Sequence, residues 1–217
     1  MLNYQSLKDL VYDYISEQIT TGKLKPNESI SENSICTALD VSRTPVREAL
    51  MQLSNEGYIE HIPRRGFFVR PLTLERVHNI YGIIGSLEAL GAVLALDSPK
   101  GIDFVGLRHL AQRMDEVITA RQYDEYHRLQ YQFHECLLQA SGNDDLIRLV
   151  VNLKKFFMRQ DYPNQPAAED IQTVLHKTNA EHWHIIHLLE AGDRDAVRTF
   201  IQDIHWNVIY ATLDTFV

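Results

Sequence analysis

Helical spacing of apolar positions dominates this sequence, and one short alternating stretch interrupts it. Apolar residues recur at i, i+3, i+4 and i+7 over residues 6–21, which predicts a first helix. Residues 23–30 are predicted to form a loop. Ser31 is predicted to cap a second, short helix, and a third helix follows the turn at residues 40–42. Two helices, a tight turn and a helix with arginines at its start are typical of a helix-turn-helix.

The third helix has one apolar face and one face suited to DNA. Thr44 is the predicted N-cap, Pro45 suits the first helical position, and the apolar stripe is Val46, Ala49, Leu50 and Leu53. Arginine can donate to guanine O6 and N7, and threonine can reach a phosphate or a thymine methyl. The candidate DNA contacts are Ser42, Arg43, Thr44 and Arg47. Taken alone, this pattern is explained equally well by an ordinary amphipathic helix with a pair of surface arginines.

The alternating stretch follows directly. Residues 58–62 are a predicted strand, residues 63–66 a turn, and residues 67–69 a second strand. A basic hairpin after a helix-turn-helix indicates a wing, whose tip at Arg65 and Gly66 would reach the DNA backbone or the minor groove. The alternative is a surface hairpin with solvated arginines.

The rest of the chain is predicted to be helical. Six helical patterns cover residues 74–96, 102–119, 123–140, 144–159, 168–191 and 194–215. The fold class is therefore mainly α, with a winged helix-turn-helix before an all-helical bundle. We expect a DNA-binding domain over residues 1–70, a linker over 71–74, and a helical domain over 75–217.

Composition adds two constraints. The net charge of −8 excludes a basic nucleic-acid coat protein, although the arginines of residues 43–70 give that segment a local basic character. Cys36 and Cys136 form no CxxC pattern, so we expect two small buried residues in a reducing compartment. We see no secretory signal and no apolar run long enough for a membrane span, and we expect a cytoplasmic protein without membrane partners.

Three histidines suggest a metal site in the helical part. His134, His182 and His205 each lie on or beside an apolar stripe, on three different predicted helices. Histidines that converge in a bundle core can bind zinc, nickel or a similar divalent ion. The alternatives are core histidines satisfied by hydrogen bonds, or a metalloenzyme with Glu135 as base. HExxH, nucleophile-elbow and Gly-rich phosphate motifs are all absent, which disfavours the enzyme.

The motifs resemble a known family. Residues 41–50, Leu53, Gly57 and the wing at residues 65–69 are similar to the winged helix-turn-helix of GntR-family bacterial transcription regulators. The helical remainder resembles the FCD branch. Its supporting residues are Leu87, Glu88, Phe133, His134, residues 141–143, Glu181, His182, Gly192, Asp193 and His205. The resemblance implies a dimeric, ligand-responsive regulator, usually a repressor. It implies that the antiparallel helical bundle over residues 75–217 is the effector-binding and dimerisation domain, and that it binds a small organic acid, often beside a divalent metal.

Carried over by resemblance, the DNA-reading arginines are Arg43 and Arg47, Thr44 matches a phosphate or base contact, and Arg65 and Gly66 match the wing tip. The family often has an arginine where this chain has Asn33, so operator preference is expected to shift.

The implied effector site departs from the family at two further positions. Gln130 stands where the family has an aspartate ligand, so it is a weak ligand or holds a water or the effector, and a three-histidine site stays viable. Ile84 stands where many members have an arginine that grips a carboxylate, one turn before Glu88. Arg159 or the metal could supply that charge, and a less acidic or more hydrophobic effector is the alternative. His127 is a further candidate lining residue.

Together these features predict a homodimer that binds a pseudo-palindromic double-stranded operator and responds to a small-molecule effector. No catalytic residue and no cofactor other than a divalent metal is expected. The remaining alternative is a DNA-binding architectural protein whose helical domain is purely structural.

Overall fold

The computed structural model describes residues 6–154 and 171–207. Within these ranges the chain forms two compact units, and the division falls between Thr73 and Leu74. The division lies inside the predicted linker of residues 71–74.

The N-terminal unit combines three helices with a small sheet. The helices are α1 Leu7–Thr20, α2 Glu32–Leu39 and α3 Arg43–Asn55, and the strands are β1 Ser29–Ile30, β2 Ile59–Ile62 and β3 Gly66–Val69. The three strands are antiparallel in the order β1-β3-β2. Ser6 and Asp9 form a capping box that starts α1, because each side chain accepts from the other residue's backbone N–H.

The predicted stripe of α3 forms the centre of this unit. Val46, Ala49, Leu50 and Leu53 are fully buried, and they lie on the helix that packs against α1, α2 and β2. Burial of a full aliphatic side chain contributes about 1.5–3 kcal/mol, so this face fixes how α3 sits in the unit. The opposite face, with Arg43, Thr44 and Arg47, is exposed.

Two local predictions in this unit are wrong. Ser42, not Thr44, is the N-cap of α3, and Pro45 is the third helical residue. The first four backbone N–H groups of a helix have no partner within it, so proline fits at the third position as well as at the first. Residues 29–30 were expected in a loop, but they pair with Phe67 and Phe68 as β1. Two residues are too few for alternation of apolar and polar positions to predict a strand from the sequence.

The C-terminal unit is helical throughout its described part. Its elements are α4 Leu74–Asp97, α5 Phe104–Thr119, α6 Tyr123–Ala140, α7 Asp144–Lys154, α8 Ile171–Ala191 and α9 Arg194–Thr199. The next residues, Phe200–His205, form a π-helix where an α-helix was predicted. π turns are rare and occur often at functional sites. The predicted helical segments 155–159, 168–170 and 208–215 lie outside the described residues.

The core of this unit is formed by α4, α5, α6 and α8, and its fully buried large side chains include Ile84, Leu107, Met114, Ile118, Tyr126, Phe133, Ile185 and Leu189. The expectation that no apolar run is long enough for a membrane span is wrong for Glu75–Asp97 on length and composition alone. An 18-residue window of that stretch is 56% buried, as expected for the core helix of a bundle.

The expectation of two buried cysteines is also wrong. Cys36 is only partly buried and Cys136 is exposed. Cys136 lies two residues after His134 on α6, and a step of two residues turns a helix to its opposite side. The inward face of α6 therefore carries His134 and Leu137, whereas Cys136 faces solvent.

Candidate metal centre and DNA-binding surface

Three histidines from different elements meet in the core of the C-terminal unit. His134 comes from α6, His182 from α8 and His205 from the end of the π-helix. Their exposed fractions are 3%, 0% and 5%. The Nε2 atom of His134 lies 3.3 Å from that of His182 and 3.2 Å from that of His205. The predicted convergence of these side chains is therefore present in the structure.

Each histidine is held on its other nitrogen by a hydrogen-bond acceptor. The Nδ1 atom of His134 lies 2.6 Å from Glu88 Oε2, and that of His205 lies 2.9 Å from Glu181 Oε2. A carboxylate can only accept, so both Nδ1 atoms donate. The Nδ1 atom of His182 lies 3.3 Å from Asn179 Oδ1. Asn179 donates through Nδ2 to the carbonyl oxygen of Ala111 at 2.9 Å, which identifies its Oδ1 as the acceptor.

This pattern determines the chemistry of the three Nε2 atoms. A neutral imidazole that donates through Nδ1 carries a lone pair on Nε2, so the three Nε2 atoms face one another without a proton to share. Three nitrogen lone pairs directed at one another suit the binding of a cation between them. Two nitrogens bound to zinc at 2.0–2.1 Å in tetrahedral geometry lie about 3.4 Å apart, close to the two spacings above. The donor set therefore fits a divalent metal.

Burial keeps the imidazoles of His134 and His182 neutral. It lowers the pKa of His134 to about 4, even though Glu88 acts in the opposite direction. Burial, together with the neighbouring His205 and His134, also lowers the pKa of His182 well below its ordinary value. Burial alone would raise the pKa of Glu88, but His134 and Lys154 outweigh it and hold that pKa far below its usual range. Neutral imidazoles beside a charged carboxylate are the states that metal binding requires.

A buried lysine that was not among the predicted site residues completes the surroundings. Lys154 is 8% exposed and forms an ion pair with Glu88. Its ammonium lies 5.2 Å from the ring centroid of Trp206 and 5.8 Å from that of Tyr131. The indole nitrogen of Trp206 donates to Glu88 Oε2 at 3.1 Å. Lys154 follows Leu146 and Val150 at intervals of four residues, and that inward spacing was the available signal.

The other described residues predicted to line the pocket lie on α4 and α6. Ile84 is fully buried one turn before Glu88 on α4, and Gln130 is partly buried one turn before His134 on α6. His127, two turns before His134, is partly buried, and burial lowers its pKa to about 4. Arg159 lies outside the described residues. Glu135, considered as a catalytic base, is exposed on the outer face of α6.

The DNA-binding candidates lie on the surface of the N-terminal unit. Arg43, Thr44 and Arg47 are exposed on the first turns of α3, and Ser42 makes no capping hydrogen bond through its side chain. In the wing, the guanidinium of Arg65 stacks 5.2 Å from the ring centroid of Phe68. The φ of Gly66 is 95°, a conformation that favours glycine.

The two arginines of α3 are held by side chains of α2. The Nε atom of Arg47 donates to Glu32 Oε2 at 2.9 Å, and an Nη atom of Arg43 donates to Asn33 Oδ1 at 3.0 Å. Glu32 was not among the predicted site residues. No spacing rule could have identified it, because the contact joins two helices across the turn.

Two family models match this chain. Residues 7–69 match the bacterial regulatory proteins of the gntR family, and residues 79–204 match the FCD domain. This chain belongs to the GntR family. Its FCD domain assigns it to the branch suggested by the sequence motifs. Regulators of this family bind DNA, and they bind an effector ligand in the FCD domain.

Characterised and uncharacterised regulators are similar over most of this GntR chain. YdhC of Bacillus subtilis is 29% identical over 205 residues, covering 83% of this chain and 92% of that protein. The Nta operon transcriptional regulator of Aminobacter aminovorans is 28% identical, covering 82% and 80%. The transcriptional repressor RspR of Escherichia coli is 25% identical, covering 89% and 83%.

A solved structure agrees with the fold of the GntR chain. McbR/YncC of E. coli superposes with a TM-score of 0.69 at 20% identity, covering 96% of this chain and 98% of that one. The relatives and both domains are those of transcription regulators, so the protein is a DNA-binding regulator. The metalloenzyme alternative is therefore wrong.

Proposed function

We propose that this GntR regulator is a homodimeric repressor whose operator affinity depends on a divalent metal and a small anionic effector in the FCD domain. The observation that carries the proposal is the convergence of three histidine Nε2 atoms in a buried core. Repression is inferred by analogy with RspR, which is named as a repressor.

The residues proposed to hold the metal are His134, His182 and His205, with Gln130 as a weak ligand or as the holder of a water. A bound divalent ion would supply a Lewis-acidic centre for an effector oxygen. Glu88, Asn179 and Glu181 orient the imidazoles through Nδ1, and such outer partners strengthen the donor nitrogens. The carboxylates of Glu88 and Glu181, which contact the imidazoles and not the metal position, supply part of the negative charge that an aspartate at position 130 would bring.

The charge of the site favours an anionic effector. Among the described residues, Glu88, Glu181 and Lys154 leave one net negative charge around the three histidines. A divalent ion changes that balance to one net positive charge, which a single carboxylate neutralises. Lys154 supplies the buried cation that the family's arginine would have supplied where this chain has Ile84. We therefore place Ile84, Glu88, His127 and Lys154 around the effector, and we favour an anionic effector over an apolar one.

The FCD domain is also the proposed dimer interface. Ile83 and Leu90 lie two turns apart on one side of α4, and 49% and 42% of these side chains are exposed. Apolar side chains at this spacing suit packing against a second copy of α4. Two copies would present two α3 helices to half-sites about one turn of DNA apart.

The proposed DNA contacts are Ser42, Arg43, Thr44 and Arg47 of α3, with Arg65 and Gly66 in the wing. The proposed domains are residues 1–70 and 75–217, joined by 71–74, and the proposed location is the cytoplasm. Through that linker, effector binding would alter operator affinity by a coupling free energy of about 1–3 kcal/mol.

The test is thermal unfolding of chelator-treated protein with zinc, nickel or manganese added, and then with a panel of small carboxylic acids. A ligand that binds only the native state raises the midpoint by mass action. We expect a metal-dependent rise in the wild type and in His184→Ala, a matched control at an exposed histidine of α8. His134→Ala should abolish the rise.

Absence of any metal effect in the wild type would refute the metal centre. A metal effect without a further shift from any acid, and without any change in operator affinity, would favour the architectural alternative.

A further inference from the structure

The two candidate base-reading arginines are attached to consecutive residues of a different helix. Glu32 accepts from Arg47 Nε at 2.9 Å, and Asn33 accepts from Arg43 at 3.0 Å. The side chain of Glu32 is 23% exposed, whereas that of Arg47 is 67% exposed. The carboxylate is thus partly enclosed, and the guanidinium that it holds extends into solvent.

The hydrogen bond to Glu32 uses only the Nε atom of Arg47, so the two terminal Nη groups stay available to read a base. Guanine is read by two parallel N–H donors directed at O6 and N7. With Nε bound to Glu32, both terminal Nη groups remain for those acceptors. An arginine that is fixed before DNA arrives also loses less side-chain freedom on binding.

The charge of Glu32 has a second effect. Contacts with phosphates supply most sequence-independent affinity, and a carboxylate beside the recognition helix opposes them. Glu32 therefore lowers the affinity for all DNA while it favours sequences on which Arg47 completes its base hydrogen bonds. The first effect leaves the ratio of specific to non-specific binding unchanged, and the second effect increases it.

Asn33 acts on Arg43 without a charge. An arginine at position 33 would repel Arg43, whereas the amide oxygen of Asn33 accepts from it. The residue at this position therefore restrains a neighbouring arginine instead of adding another cation to the surface.

We propose that Glu32 and Asn33 are positioning residues that set the base discrimination of Arg47 and Arg43. The proposal rests on the proposed role of these arginines as base readers. A simpler explanation for Glu32 is that an acidic residue in the first turn stabilises α2 through the helix dipole. The experiment separates the two explanations.

Binding would be measured for full-length protein on two duplexes. One is the sequence enriched by the wild type from a pool of random 30-base-pair duplexes, and the other is a scrambled duplex of equal composition. Loss of one bidentate base contact lowers discrimination by roughly five- to 150-fold. We expect Glu32→Ala to lower the ratio of the two affinities within that range, with equal or tighter binding to the scrambled duplex.

Glu32→Gln keeps an acceptor for Arg47 Nε, so we expect it to restore most of the discrimination while binding scrambled DNA more tightly than the wild type. Glu60→Gln, which removes the charge of an exposed residue on β2, should leave the ratio unchanged. Asn33→Ala should lower discrimination less than Glu32→Ala, because it removes a neutral hydrogen bond. In the Arg47→Ala background, Glu32→Ala should have no further effect on discrimination.

Unchanged discrimination in Glu32→Ala would overturn the inference for Glu32, provided that Arg47→Ala lowers it. A parallel loss of both affinities together with a lower unfolding midpoint would establish the helix-dipole explanation instead. Unchanged discrimination in Arg47→Ala would overturn the base-reading role itself, and with it the inference.

Discussion

The Lys154–Glu88 ion pair offers a quantitative test of the site's electrostatics. Lys154 is 8% exposed and Glu88 is 6% exposed, so neither charge can be hydrated by bulk water. Glu88→Gln preserves the shape but leaves the ammonium without a carboxylate, and removal of one partner of a buried pair costs about 3–5 kcal/mol of unfolding free energy.

Lys154→Met should cost less. The methionine retains an apolar stem over Trp206, and Glu88 still accepts from His134 and from the Trp206 indole. We expect a loss of about 1–3 kcal/mol, because the carboxylate loses one of three partners. The double variant buries no charge from this pair, and its unfolding free energy should lie within about 2 kcal/mol of the wild type.

The assay is urea unfolding of chelated protein for the wild type, both single variants and the double variant. The loss of unfolding free energy in the double variant should be smaller than the sum of the two single losses by at least about 2 kcal/mol. Independent sites add to within about 0.5 kcal/mol, so this coupling energy is measurable. The exposed Asp145–Arg148 pair of α7 is the matched control. The same cycle there should be additive within error. Additive losses at Lys154 and Glu88 would refute the argument that this pair is desolvated and coupled.

Three further outcomes are expected. Asn179→Ala frees the imidazole of His182 and should weaken metal binding about 10- to 100-fold, measured by competition with a chelator. In Gly85→Ala the new Cβ would lie 2.6 Å from Trp206 Cβ, so the unfolding midpoint should fall and tryptophan fluorescence should change; Gly82→Ala, with open space around it, should do neither. Because burial lowers the pKa of His127 from 6.5 to about 4, the unfolded state takes up a proton first as the pH falls. Stability should therefore decline between those values, and less so in His127→Gln; equal pH dependence of the two proteins would contradict this.

Features encoded in local spacing could be predicted. The stripe of α3 and the inward positions of His134, His182 and His205 follow from helical periodicity, and burial confirms them. Helix periodicity is a strong signal because each inward position repeats the same physical requirement along the chain.

Features that depend on contacts between elements could not be predicted. The Glu32–Arg47 hydrogen bond requires the angle between α2 and α3, which no linear pattern contains. Lys154 occupies an inward position, but a lysine there is expected to be solvated unless its partner Glu88, far away in sequence, is known. The π-helix at Phe200–His205 could not be predicted either, because this segment contains no proline or glycine that would disturb an α-helix.

The hydrogen bond from Asn179 to the main chain of α5 makes the proposed metal centre sensitive to a helix that contributes none of the proposed ligands. The Ala111 carbonyl fixes the Asn179 amide, and the amide fixes the plane of the His182 ring. A slide of α5 along α8 would rotate that ring and move its lone pair away from the other two. Substitutions on the outer surface of α5 should therefore change metal affinity from a distance, and metal binding should in turn resist displacement of α5. Three elements contribute the proposed ligands, but the geometry of the proposed centre depends on a fourth.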